Sequence, residues 1–157
     1  MVIDKYVLAG FLMGYTEKAL NYFSNNFNCS QAVFTAFAVD MGMEEQLALK
    51  LATSFGGGAR CGQICGAVSG ALMALGLKYG HCHSGDSEEK AKAYALAVEF
   101  NKRFCEKNGT VVCKELLGYD ISVPEEKEEI IKRDLFSTIC PKAISDAVEI
   151  VQQMLTQ

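Results

Sequence analysis

The fold this sequence predicts is all-α, a single-domain bundle of six to eight helices around a central Gly/Ala-rich apolar helix. Three observations carry that expectation. Apolar residues recur at three- and four-residue spacing along nearly the whole chain, the signature of helices with one buried face. Only 2 prolines stand among 157 residues, which argues against long irregular segments. Half of the residues are hydrophobic and 22% are charged, the balance of an ordinary globular protein, and a chain of this length buries roughly 70% of its unfolded surface as one domain.

Taken in order, Leu12, Tyr15, Ala19, Tyr22 and Phe23 fall on one stripe of a first helix, which Asn25 and Asn26 interrupt. The apolar run Val7 to Tyr15 lacks the basic flank and small-residue cleavage pattern of an export signal, so it reads as the start of that core helix. Asn28 is a suitable N-cap for a second helix, whose apolar stripe is Cys29, Ala32, Val33, Ala36 and Phe37 and which Gly42 ends. Met43 to Thr53 makes a third, with acidic residues in the first turn where the helix dipole favours them. A triple glycine, Gly56 to Gly58, then forms a loop before the apolar helix expected from about Gly62 to Tyr79.

Within that helix Ile64 to Leu77 carry no charge over fourteen residues. At ~1.5 Å per residue this is roughly 21 Å, short of the ~30 Å hydrocarbon core of a bilayer, so the stretch reads as a buried helix. Asp86 or Ser87 opens a long helix through about Lys107, with Ala91, Ala95, Val98 and Phe104 expected inward and Cys105 in the core. Cys113 to Leu117 is one short turn before Gly118, and Pro124 suits the first turn of an acidic helix running to about Phe136. The last helix, Pro141 to Leu155, should bury Ala143, Ala147, Ile150, Val151 and Met154.

Composition also narrows the function. Fifteen Lys and Arg against nineteen Asp and Glu leave a net charge of −4, without a basic cluster and without Trp. Nucleic-acid and membrane partners are therefore not expected. Seven cysteines are about 4.5% of 157 residues, below the ~8–10% of a disulfide scaffold. An odd count leaves at least one thiol free, metal-bound or paired with another molecule. With no export signal visible, the expected compartment is the reducing cytoplasm, where multiple cysteines more often serve metal or redox chemistry than structural bridges.

The segment Ser54 to Gly66 concentrates the chemistry-bearing residues. Gly56, Gly57 and Gly58 can turn successive backbone N–H groups toward an anion, with Arg60 and Gly66 beside them, although no Walker or dinucleotide-binding spacing is present. A plain turn between helices is the competing explanation. Cys61 and Cys65, four apart, would share a face if both lay in the first turns of the helix, within reach of a disulfide. Cysteine is also a small buried hydrophobe in many cores, but here Cys29, Cys65, Cys113 and Cys140 each stand near the predicted start of a different helix. Helix N-termini stabilise thiolates, so four such starts aimed at one centre would make a redox relay or the ligand set of an iron–sulfur cluster.

These residues together resemble the C_GCAxxG_C_C proteins, a family named for its cysteine and glycine pattern and described as redox-active. The central motif stands as Cys65-Gly66-Ala67-Val68-Ser69-Gly70, the first cysteine segment as Asn28-Cys29-Ser30-Gln31-Ala32-Val33, and Cys113 and Cys140 supply the remaining two. The similarity covers about Ala19 to Val151. It implies a small redox-active or prosthetic-group-binding protein, partnered by a redox protein or a transporter-associated one. Some relatives carry twin-arginine export signals, and this chain shows none.

Gly62, Gly66, Gly70 and Ala74 recur every four residues and form a ridge that another backbone can approach closely, an arrangement most often used for helix packing. A zinc site joining His81, Cys82 and His83 to Cys61 and Cys65 is opposed by distance, because Cys65 and His81 lie roughly 24 Å apart along one predicted helix at ~1.5 Å per residue. A metal site between subunits of a homo-oligomer stays open. The sequence thus leaves three functions: thiol–disulfide exchange or electron transfer by Cys65 with Cys61, Cys29, Cys113 or Cys140; binding of an iron–sulfur cluster or another soft metal by Cys29, Cys65, Cys113 and Cys140; and a helical interaction protein with buried cysteines.

Overall fold

The computed structural model describes residues 13–156. The expected helix start between Val7 and Leu12 lies outside them. Nine α-helices follow in order: α1 (Tyr15–Ser24), α2 (Cys29–Ala38), α3 (Glu45–Ala52), α4 (Gly66–Tyr79), α5 (Ser87–Asn108), α6 (Cys113–Leu117), α7 (Pro124–Lys132), α8 (Leu135–Thr138) and α9 (Cys140–Leu155). The helix α8 is a single turn, and eight have five residues or more. The described residues contain no β-strand, only an isolated antiparallel bridge between Ile64 and Val112.

The all-α expectation is met, and α4 is the central helix. It buries Gly66, Ala67, Val68, Gly70, Ala71, Ala74 and Leu75 and packs against α2, α5 and α9. The ridge is functional in packing terms: a Cβ on Gly70 would sit 2.7 Å from the Ser30 carbonyl oxygen, so α2 and α4 meet backbone to backbone. The last helix buries all five of the residues assigned inward from its periodicity. No helix among the described residues is long and apolar enough to cross a membrane.

Two expectations are corrected. In α5 the inward residues are Phe100 and Phe104, with Leu96 packed against the core, while Ala91, Ala95 and Val98 face outward and Val98 is 69% exposed. Apolar residues lie on both sides of this helix, so spacing alone does not fix its phase. The apolar helix α4 begins at Gly66 rather than Gly62, because Gly57, Gly58, Ala59 and Arg60 all take positive φ and wind a left-handed turn that cannot run into a right-handed helix.

The buried residues form a main core, drawn from α1, α2, α3, α4, α5 and α9, and a satellite core of Cys113, Leu117, Ile121 and Ile130. Cys29 and Cys65 belong to the main core, Cys113 to the satellite, and Cys140 packs against both.

Candidate functional site: a four-cysteine cavity at helix N-termini

Each of the four cysteines is set by a local device. At α2, the Asn28 side chain accepts a hydrogen bond from the Gln31 N–H, and the Gln31 side chain accepts one from the Asn28 N–H, both at 3.0 Å. This reciprocal capping box places Cys29 as the first helical residue. The Asn28 amide also donates to the Thr53 carbonyl at 2.7 Å, which ties the helix start to the end of α3.

Cys65 is the N-cap of α4. Its backbone N–H donates to the Val111 carbonyl (2.8 Å), and the Cys113 N–H donates to the Gln63 carbonyl (2.6 Å). These two bonds frame the Ile64–Val112 bridge, so Cys65 and Cys113 sit on adjacent, paired backbone segments. Cys113 is in turn the first residue of α6, and Cys140 the first residue of α9, where Pro141 occupies the first turn without losing a needed donor. The Gly66–Gly70 ridge completes the approach: a Cβ on Gly66 would lie 3.2 Å from the Cys29 Cβ, which brings the α2 cysteine against the start of α4.

All four cysteines line one cavity of about 340 Å³, walled by apolar side chains that include Phe27, Leu116, Ile121 and Phe136. Gly57, Arg60 and Gly66 also line it. Gly56 and Gly58 do not; they serve packing, since a Cβ on Gly56 would collide with the Asn28 side chain at 2.4 Å and one on Gly58 with the Gln63 nitrogen at 2.3 Å. Arg60 and Lys127 are exposed residues at the edge of the cavity, giving its mouth positive charge.

Arg60 reaches this position from a strained backbone. Ala59 (φ 54°) and Arg60 (φ 62°) hold left-handed conformations that cost roughly 1–2 kcal/mol for each non-glycine residue. The turn is closed by the Gln63 N–H donating to the Gly58 carbonyl at 3.1 Å and the Cys61 thiol donating to the same oxygen at 3.2 Å. Cys61 is exposed and is not among the cavity-lining residues. The expectation that Cys61 and Cys65 share a helical face is therefore corrected: Cys61 lies in the left-handed turn, four residues before the helix cap.

The electrostatics divide the cysteines. Burial pushes the Cys65 thiol up to about 11, opposed by hydrogen bonds from the Ala67 and Val68 N–H groups. Burial likewise takes Cys113 up to about 12, with the Arg60 charge pulling the other way. Cys29 is raised well above its ordinary value, first because its thiol donates to Cys140 and then by burial. Cys140 is the one of the four that is lowered, because it receives that hydrogen bond as the acceptor. Cys29, Cys65 and Cys113 are thus held toward the thiol form, and Cys140 alone is shifted toward the thiolate.

The spacing restricts what the cavity can hold as it stands. Zinc–sulfur bonds of ~2.3 Å place tetrahedral ligand atoms about 3.8 Å apart. Among the described residues, the one group of three or more potential ligand atoms lying within 4.8 Å of one another is Cys82, His83 and Asp86, so no three of the four cavity sulfurs are that close. A single tetrahedral ion does not fit these four sulfurs as they stand.

What the sequence missed is the pairing. The capping box at Asn28 was a readable signal for Cys29, but nothing in the residue order couples Cys29 to Cys140 or Cys65 to Cys113. A family model described as "Putative redox-active protein (C_GCAxxG_C_C)" matches residues 27–154. No curated protein matches the chain, and no solved structure does.

Proposed function

The chain belongs to the C_GCAxxG_C_C family, and from that premise we propose that Cys140 and Cys29 form a reversible dithiol–disulfide couple acting on small thiol or disulfide substrates. The Cys140 thiolate attacks one sulfur of a substrate disulfide, forming a mixed disulfide and releasing the other half as a thiolate. The Cys29 thiol then loses its proton and attacks the Cys140 sulfur, which closes the protein disulfide and expels the second half. Two protein thiols are oxidised and one substrate disulfide is reduced to two thiols. Arg60 and Lys127 at the mouth suit an anionic substrate.

What supports this reading is the placement of Cys29 and Cys140 in one cavity at the starts of α2 and α9, with Cys140 the less buried of the two and their mutual interaction raising the Cys29 thiol and lowering that of Cys140. The test is oxidation of the purified protein followed by peptide mapping, in a background where Cys61, Cys82 and Cys105 are serine. A Cys29–Cys140 bridge is expected, together with faster alkylation of Cys140 than of Cys65 or Cys113 at pH 8. Absence of that bridge, or alkylation of Cys65 first, would refute the couple.

A second reading rests on the ring itself. Four sulfurs at helix N-termini, too widely set for one tetrahedral ion, suit a polynuclear iron–sulfur cluster held by Cys29, Cys65, Cys113 and Cys140, whose negative charge the helix N-termini and the Ala67 and Val68 N–H groups would favour. Anaerobically purified protein that is brown and contains iron and sulfide supports the cluster. Colourless protein with four alkylatable cavity thiols supports the couple.

A further inference from the structure

Beyond the C-terminal end of α4 the chain carries a second group of metal-ligating side chains that neither reading of the cavity uses. The Cys82 sulfur, a His83 ring nitrogen and an Asp86 carboxylate oxygen all lie within 4.8 Å of one another. They sit in the short connection between α4 and α5, which is closed by turn hydrogen bonds from the Asp86 N–H to the His83 carbonyl (3.2 Å) and from the Ser87 N–H to the Gly85 carbonyl (2.9 Å). Asp86 occupies the N-cap position of α5, yet its side chain makes no capping bond to that helix. It turns back instead, accepting the His83 backbone N–H at 3.1 Å. The carboxylate is thus held on the side of the thiol and the imidazole rather than spent on the helix.

The geometry points to a divalent metal site formed by Cys82, His83 and Asp86, of the class that zinc occupies, with its fourth position open to water or to an external ligand. One sulfur, one imidazole nitrogen and one carboxylate oxygen are each zinc ligands, and the thiol and imidazole disfavour magnesium or calcium, which take oxygen donors. Tetrahedral bonds of about 2.0–2.3 Å set ligand atoms about 3.3–3.8 Å apart. Cys82 and His83 are exposed, so side-chain rotation alone can close the trio onto an ion. Binding takes the Cys82 sulfur as thiolate and the His83 ring as neutral imidazole, and the proton displaced from Cys82 goes to solvent.

The experiment is titration of the reduced full-length protein with Zn2+ against a chromophoric chelator, and with Co2+ as a spectroscopic probe. Wild type and Cys140→Ser are compared with Cys82→Ser and with Cys82→Ser/His83→Ala, all checked for helical content by circular dichroism. One Zn2+ site is expected in wild type and retained in Cys140→Ser. It should weaken in the double variant by more than the ~10–100-fold that loss of an outer-shell partner costs. A thiolate-to-cobalt charge-transfer band is expected in wild type and absent from Cys82→Ser. The inference is overturned if wild type binds no Zn2+, if the double variant binds it equally well, or if the cobalt band survives in Cys82→Ser or disappears in Cys140→Ser. Because Cys140→Ser disables the proposed dithiol couple, failure of either idea is read separately from the other.

Discussion

At its N-terminal end α4 meets the backbone of α2 and delivers Cys65 into an apolar cavity; beyond its C-terminal end the same chain leaves Cys82 and His83 in solvent. The residue types overlap but the surroundings are opposite. Close packing at the first end withholds water, so the thiols stay protonated until a partner sulfur or a bound group intervenes. Exposure at the second end leaves side chains free to rotate and donors free to meet an ion. Burial, rather than the presence of cysteine, separates a redox candidate from a metal-exchange candidate within one helix length.

Valine at Gly70 should break the crowded end outright. Any Cβ there meets the Ser30 carbonyl at 2.7 Å, so Gly70→Val is expected to lower stability in denaturant unfolding by about 3 kcal/mol or more. Gly76, on the same helix but with nothing within 4 Å of its added Cβ, supplies the contrast: Gly76→Ala should raise stability by roughly 0.5–1 kcal/mol.

Alkali sharpens the comparison next. Cys65 is raised from an ordinary 9.0 to about 11 in the folded protein, so keeping it protonated contributes stability that is complete below pH 9 and is lost as pH rises toward 11. The difference corresponds to roughly 2–3 kcal/mol. Unfolding curves of wild type should weaken over that range more steeply than those of Cys65→Ala. Parallel curves for wild type and Cys65→Ala would remove the burial argument.

Asn28→Ala tests the device that seats Cys29. It removes both the cap and the bond to Thr53, with an expected loss of about 1–2 kcal/mol by thermal or denaturant unfolding. A smaller effect is at Arg60, where stability and chemistry should part. Arg60→Gly relieves a left-handed residue and should gain about 1 kcal/mol. It also removes the charge that lowers Cys113, so alkylation of Cys113 should slow.

The helices and the placement of Cys29, Cys65, Cys113 and Cys140 at helix starts were legible because helix starts leave local marks: an Asn-x-x-Gln box around Cys29, a proline after Cys140, and glycines around Cys65. The phase of α5 was not legible, since Ala91, Ala95 and Val98 form as regular an apolar stripe as the one that is buried. The left-handed turn was hidden too. Glycine at 57 and 58 permits it, but Ala59 and Arg60 are residues that ordinarily avoid positive φ, and only the surrounding contacts hold them there. The trio beyond α4 was hidden because the zinc expectation joined His81, Cys82 and His83 to Cys61 and Cys65 at the opposite end of the helix, whereas Asp86, offered with Ser87 as the cap of α5, turns its side chain to the loop.

The bridge between Ile64 and Val112 also sets an order of events. It clasps two points separated by the whole of α4 and α5, and closing a loop of that length costs roughly 3 kcal/mol of chain entropy. The two hydrogen bonds that frame it return about 1–3 kcal/mol between them. The clasp by itself gains little or nothing net, so docking of α5 along α4 is expected to come first, with the Cys65–Cys113 side of the cavity assembled late in folding.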